Sequence, residues 1–239
     1  MKRLDLSVKK LIKIVATNDI VGKGSFGIVY KLDEDTLFKF NFRPFLNYFE
    51  YKDGKYNFRN LSDISETIKC LKEDDSPFQR YNNETVEKLI GLQDKIHLTK
   101  LTQGMAYIDG FCVGYLLHYH KNMTSLFDYL KGKNGNIEER LKIFQNLKNA
   151  VQELYDNNIF LEDLSSHNIL INPKTCEIQL IDFEDLLTSV SEDRPAQVLE
   201  NVRTRFSHIK ENLVPKCHKE ELTRWFVADC HFNCNKFVF

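Results

Sequence analysis

Three side chains in the second half of the chain have types and spacing suited to phosphate chemistry. They are Asp163 and Asn168 in Asp163-Leu164-Ser165-Ser166-His167-Asn168, and Asp182 in Leu180-Ile181-Asp182-Phe183. Asp163 and Asn168 stand five residues apart, an apolar run begins at Asn168, and Asp182 closes another such run fourteen residues further on. If the two runs are strands of one hairpin, Asn168 and Asp182 come side by side with Asp163 just before them. One carboxylate then serves as a general base or hydroxyl-orienting group, and two oxygen donors suit a hard divalent cation such as Mg²⁺. Singly, each residue is an ordinary turn or cap residue. The set of three at this spacing carries the information.

A second group lies near the N-terminus. Gly22-Lys23-Gly24-Ser25-Phe26-Gly27-Ile28-Val29 places three glycines in a turn between two strands. Glycine lets the backbone approach a phosphate closely, so that amide groups act as donors. A dinucleotide-binding fingerprint needs a helix after the glycines. Here Ile28-Val29-Tyr30 continues as a strand, which fits a hairpin laid over phosphates. Lys39 follows in the next strand, between Phe38 and Phe40. A lone Lys there is often an edge or snorkelling residue, but its place after the glycine hairpin suggests an ammonium directed at phosphate. Such a Lys needs an acidic partner, and Glu87 and Glu84 on a predicted helix are the candidates.

The elements that must position these groups can be read from periodicity. Residues 7–16 form a short amphipathic helix, and residues 19–41 read as three strands split by the glycine turn and by Asp33-Glu34-Asp35. A helix is predicted near 62–73. Asn83 is placed to cap another from Glu84 to Asp94, with Val86, Leu89, Ile90 and Gln93 at helical spacing. Residues 104–119 form a hairpin across Asp109-Gly110. Asn136 and Glu139 make a capping-box start, and Ile137, Leu141, Phe144, Leu147, Val151, Leu154 and Tyr155 trace one stripe of a helix of about 20 residues. Residues 168–171 and 178–181 form a second hairpin around Asn172-Pro173-Lys174. The tail from Arg194 to Phe239 reads as two helices broken at Pro215. A strand-rich front and a helical back give an α+β chain of two lobes, dividing near His120–Asn122.

The residues so far quoted resemble the protein-kinase-like superfamily over roughly residues 17–190. Gly22, Gly24, Gly27 and Val29 match its G-x-G-x-x-G-x-V loop, and Lys39 its third-strand Lys. Asp163 and Asn168 match the Asp and Asn of H-R-D-x-x-x-x-N, and Asp182-Phe183 the start of D-F-G. The resemblance implies a single kinase-like domain over 1–239 of small, truncated bacterial or phage type. It has a β-rich N-lobe (1–118), a 42–83 insertion after the third strand, and a reduced, shortened α-helical C-lobe (119–239). It implies ATP and Mg²⁺ as cofactors. Gly22, Gly24, Ser25, Phe26, Gly27 and Lys39 would bind phosphates. The base would sit among Val29, Leu37, Leu170 and the hinge His118-Tyr119-His120. Asn168 and Asp182 would hold metal, Asp163 would orient the acceptor hydroxyl, and Glu87 would fix Lys39. Counting back from the hinge favours Glu87 over Glu84, with Glu66 a distant third.

The chain also departs from that pattern. Leu161-Glu162 replaces the His-Arg before the catalytic Asp, so the pairing with a phosphorylated activation loop is missing. Glu184 replaces the glycine of D-F-G, and Glu184 or Asp185 would add negative charge near the metals. No Ala-Pro-Glu follows, and 57 residues remain after Asp182. Ser165 stands two residues after Asp163, where protein-serine kinases commonly carry Lys. Ser166-His167-Asn168 is also similar to small-molecule kinases of the superfamily. Three readings therefore stand: a protein Ser/Thr kinase, a small-molecule kinase, and a pseudokinase scaffold that regulates a partner.

Composition sets outer bounds. The chain has 239 residues, with 33 Lys+Arg against 34 Asp+Glu and a net charge of -1. That balance argues against a general nucleic-acid binder. A hydrophobic share of 42% is too high for a disordered chain. No run approaches the about 18–20 apolar residues of a membrane span, and Lys13 interrupts the one short apolar stretch near the N-terminus, so no signal peptide is expected. Six Cys in this length is not a disulfide framework, which points to a cytoplasmic protein with reduced thiols. Cys217, His218, Cys230, His231 and Cys234 are zinc-ligand types, but their spacing fits no standard paired knuckle. The aromatic segment Phe42–Tyr56 is expected to pack on its own domain rather than offer a partner surface.

Overall fold

The strand Thr36–Phe40 buries Phe38 and Phe40 completely on one face and carries Lys39 on the other, beside buried Leu37. It is an inner strand of a six-stranded sheet. In the computed structural model the described residues are 2–24, 27–41, 44–45, 49–52, 55–58, 61–73, 77–132, 135–161, 163–184, 188–190 and 196–213. The described part is mixed α+β, with a six-stranded sheet and six helices. The chain divides into two units: Met1–Lys95 with Lys100–Lys121 and Phe183–Leu186, and Ile96–Thr99 with Asn122–Asp182 and Leu187–Phe239.

The first unit is built on strands β1 (Lys2–Asp5), β2 (Ile20–Lys23), β3 (Ile28–Lys31), β4 (Thr36–Phe40), β7 (Gly104–Ile108) and β8 (Phe111–His118), in the order β1-β7-β8-β4-β3-β2. Strand β1 pairs with β7 in parallel, and every other neighbour is antiparallel. The β7–β8 hairpin turns at Asp109 and Gly110, both at positive φ (50° and 81°), as a two-residue turn of this twist requires. Helix α1 (Val8–Thr17) is capped by Ser7, whose Oγ accepts from the Lys10 amide, and it buries Leu11, Ile14 and Val15. A small hairpin, β5 (Phe49–Lys52) and β6 (Lys55–Phe58), follows β4.

Helices α2 (Leu61–Glu73) and α3 (Pro77–Gly91) complete this unit. The expected cap at Asn83 is corrected: α3 starts at Pro77, seven residues before the expected Glu84, and Pro suits a first helical turn because its missing N–H has no partner to lose there. Asn83 instead accepts a 3.4 Å hydrogen bond from the Tyr115 hydroxyl. One core joins Leu11, Tyr30, Phe38, Phe40, Phe45, Tyr56 and Ile64. The Phe45 ring lies 5.4 Å from Phe40, so this member of the aromatic segment packs inward, and Phe58, beyond the segment, lies 6.0 Å from Phe40. A second cluster sets Val86 of α3 against Met105, Cys112 and Tyr115.

The second unit contains β9 (Thr124–Ser125), α4 (Leu126–Lys131), α5 (Ile137–Asp156), β10 (Ile159–Leu161), β11 (Ile169–Ile171), β12 (Ile178–Leu180), β13 (Thr188–Val190) and α6 (Ala196–Leu213). Helix α5 carries the full capping box: the Asn136 side chain accepts from the Glu139 amide, and the Glu139 carboxylate accepts from the Asn136 amide. It buries Phe144, Leu147, Ala150, Val151 and Leu154. Phe144 packs against Phe206 of α6 at 5.1 Å. Strands β11 and β12 form the expected antiparallel hairpin, and β9 joins the other edge of β11. Of the expected tail, α6 is described. The break at Pro215 lies outside the described residues.

Candidate functional site

In the first unit, the glycine hairpin is formed by β2 and β3. Gly22 pairs with Val29 and Lys23 with Ile28, with an irregularity between Ile20 and Gly22. The Gly24 amide donates to the Gly27 carbonyl at 2.9 Å, closing the turn. Ser25 and Phe26, expected at its tip, lie outside the described residues. A Cβ at Gly22 or Gly24 would meet nothing within 4 Å. Gly27 differs: a Cβ there would stand 3.1 Å from Lys39 Cγ and 3.2 Å from the Phe40 carbonyl oxygen. The third glycine is thus the surface over which the Lys39 stem lies.

Strand register fixes Lys39 between Val29 on β3 and Tyr115 on β8. Its ammonium donates to Glu184 Oε2 at 3.3 Å. The pair is well enclosed, with 13% of the Lys39 side chain and 2% of the Glu184 side chain exposed. The other carboxylate oxygen, Oε1, accepts from the Thr102 hydroxyl. Thr102 is itself buried and belongs to the segment just before β7. The Tyr115 phenol is held well above its ordinary range, first by burial, with Cys112 and Glu184 adding to the effect. Burial also pushes the Cys112 thiol up to about 12. A buried ion pair adds little net stability, but removing one partner strands the other charge at a cost of about 3–5 kcal/mol.

This arrangement corrects one expectation, the partner of Lys39. Glu87 is exposed on α3, because that helix turns Val86 and Leu89 inward to the sheet. Glu84 and Glu66 are exposed as well. Glu184, expected to add negative charge near the metal groups, faces Lys39 and Thr102. Its position has no counterpart in spacing along the sequence. The one available signal was a carboxylate in the slot where the D-F-G pattern has glycine.

The second unit holds the other group. The Asn168 side-chain amide donates to two oxygens of Asp163, the backbone carbonyl and Oδ2, each at 3.1 Å. The Asn168 backbone amide donates to the Ser165 carbonyl at 3.0 Å, which tightens the intervening loop. Pairing of Ile169 with Leu180 brings the residues just outside the hairpin together, and the Ile181 amide donates to the Asn168 carbonyl at 3.0 Å. Asp182 follows directly, in the left-handed region at φ 72°. Asp and Asn tolerate that conformation better than most residues. Asp163, Asn168 and Asp182 are all partly accessible. Next to the loop, exposed Phe127 stacks on His167 at 4.3 Å, and the Phe127 amide donates to the Ser166 carbonyl.

The remaining expected positions are placed as follows. Leu37 is buried on β4, and Val29 is half-buried on β3. In the second unit, half-buried Leu170 pairs with Gln179 on one side and Ser125 on the other. His118 ends β8 opposite Thr36, and the Tyr119 amide donates to the Asp35 carbonyl at 2.9 Å. The imidazole of His120 is lowered to about 4, chiefly by burial and further by His118 and Lys100. His118 is lowered by burial and by Lys100 and Lys2. Cys217, His218, Cys230, His231 and Cys234 lie outside the described residues. Among the described residues no three His, Cys, Asp or Glu side chains gather into a metal-sized cluster. No helix among them is long and apolar enough to cross a membrane.

No protein-family model matches the chain, and no curated protein matches it.

Proposed function

We propose that the protein is an ATP- and Mg²⁺-dependent phosphotransferase of two-lobed protein-kinase-like fold, with a protein Ser/Thr hydroxyl as acceptor. The observation that carries this reading is the Asp163–Asn168–Asp182 arrangement. One side-chain amide ties Asn168 to Asp163, and Asp182 directly follows Ile181, whose amide donates to the Asn168 carbonyl.

The donor chemistry fits the metal. With its amide nitrogen committed to Asp163, Asn168 keeps Oδ1 as an acceptor, and Asp182 adds a carboxylate. Mg²⁺ takes hard oxygen ligands and commonly uses one or two protein groups plus substrate phosphates, so a larger acidic cluster is not needed. The ion would supply charge neutralisation for the transferred phosphoryl group. Gly22 and Gly24 support phosphate binding because they leave open space that the fold's own packing does not use. Lys39 supplies a fixed positive charge, and Asp163 accepts or orients the acceptor proton. Catalysis of this kind is mainly positioning and electrostatic stabilisation.

The test is intact-mass spectrometry after incubation with Mg-ATP, run beside Asp163→Ala. A gain of one phosphate by the protein or an added protein substrate, abolished by Asp163→Ala, is expected. ATP consumption with no gain in protein mass would move the acceptor to a small molecule. Neither binding nor consumption of ATP would leave the scaffold reading in its place.

A further inference from the structure

We infer that Glu184 is the positioning residue for Lys39, taking the task that the sequence pattern assigns to a helix glutamate. The inference rests on the phosphotransferase reading and deepens it. Glu184 immediately follows Asp182-Phe183, so the carboxylate that orients the lysine is two residues from a proposed metal ligand.

Five observations carry this. Lys39 Nζ and Glu184 Oε2 are 3.3 Å apart. The Glu184 side chain is 2% exposed and so cannot wander as a surface carboxylate does. Its second oxygen is held by the Thr102 hydroxyl, so the carboxylate is anchored independently of the ammonium. The Lys39 stem is confined from the other side by Gly27. The helix residue that was expected in this role points outward.

The chemistry follows from that geometry. A lysine on four methylenes is a flexible point charge, and holding it in one place loses side-chain entropy. A buried carboxylate fixed by its own hydrogen bond holds the ammonium at one place, so less ordering remains when phosphate arrives. An ammonium carries three N–H donors, so one lysine can serve a carboxylate and a phosphate oxygen together. In the usual pattern the glycine after Asp-Phe leaves the backbone free to turn. Here the same position carries an anchor, which couples the segment after Asp182 to the phosphate-binding lysine.

The experiment uses the full chain and four variants: Lys39→Met, Glu184→Gln, Thr102→Val and Glu87→Gln. Each is measured for Mg-ATP affinity by calorimetry, for turnover with a kcat and KM split, and for thermal unfolding. Glu184→Gln retains shape and one acceptor for Thr102 but presents no charge to Lys39. It is expected to fold, to keep most of its Mg-ATP affinity, and to lose about 10- to 100-fold in kcat, the scale set by small misplacements of a catalytic group. Glu87→Gln is expected to fall less than Glu184→Gln. A folded Glu184→Gln with wild-type kcat, beside an inactive Lys39→Met, overturns the inference and leaves the phosphotransferase reading standing. A larger loss in Glu87→Gln than in Glu184→Gln overturns it in the same way. Should Glu184→Gln fail to fold, Thr102→Val decides: a lowered kcat supports the inference, and an unchanged kcat overturns it. A wild-type chain that neither binds nor turns over Mg-ATP removes the underlying reading itself.

Discussion

Asn168 donates its side-chain amide to two oxygens of Asp163, one on the backbone and one on the carboxylate, both at 3.1 Å. The loop between them is therefore held by a side chain as well as by its own turn. Asn168→Ala removes both bonds, one of them to a charged oxygen. The expected loss of stability is about 1–3 kcal/mol, read from the urea midpoint. The same variant is expected to weaken Mg²⁺-dependent ATP binding. Asp163→Ala is expected to leave nucleotide affinity in place and abolish transfer. Equal losses of affinity in the two variants would separate the roles differently from this account.

The three glycines of the hairpin are expected to respond differently to a methyl group. At Gly27 the new Cβ would press on the Lys39 stem and the Phe40 carbonyl oxygen, at 3.1 and 3.2 Å. Gly27→Ala is expected to lower stability by about 1–3 kcal/mol, the usual scale of overpacking. It is also expected to reduce ATP affinity by moving Lys39. Gly22→Ala and Gly24→Ala meet open space and are expected to change the melting temperature little while still reducing ATP affinity. Thermal unfolding measured beside nucleotide titration separates the two effects. A melting temperature lowered equally in all three would argue against the Gly27–Lys39 contact.

Much of this was legible in residue patterns because the physics was local. Asn136 with Glu139 and Asp109-Gly110 set a helix start and a turn through bonds a few residues long, and each lies where periodicity and cap chemistry put it. The β11–β12 hairpin was legible for the same reason. The start of α3 was not, since Asn83 looks like a cap but its side chain has a partner far along the chain in Tyr115. The pairing of β1 with β7 was also hidden, because a four-residue edge strand has too short a pattern to announce itself. The partner of Lys39 was hidden most deeply. Glu184 is 145 residues away. Only the return of Phe183–Leu186 to the first unit brings it there. Counting back from the expected hinge favours Glu87, but helical spacing gives the inward face of α3 to Val86 and Leu89.

His120 predicts a pH dependence of stability with a defined sign. Burial keeps its imidazole neutral in the folded chain down to about 4, whereas the ordinary value is 6.5. Between those values the unfolded chain binds the extra proton. The stability due to neutral His120 is therefore complete above about pH 6.5 and is lost as pH falls towards 4. His118, whose ring lies 6.2 Å away, shifts in the same direction. Urea midpoints for wild type and His120→Asn are expected to diverge most at pH 7 and converge towards pH 4.5. A His120→Asn chain with an unchanged pH slope would exclude this origin.

Asp182 separates backbone demands from chemical ones. Its φ of 72° is costly for most side chains, by about 1–2 kcal/mol, and worst for branched ones. Asp182→Asn keeps a residue that accepts this conformation while removing the charge proposed to bind Mg²⁺. Asp182→Val keeps neither. Asp182→Asn is expected to hold its melting temperature close to wild type and to lose the Mg²⁺-dependent part of ATP affinity. Asp182→Val is expected to lose both. Calorimetry with ATP in Mg²⁺ and in EDTA, set beside thermal unfolding, reads the two quantities separately. If Asp182→Asn bound ATP as wild type does in Mg²⁺, the carboxylate would be there for the turn alone, and the metal would have to rest on other oxygens.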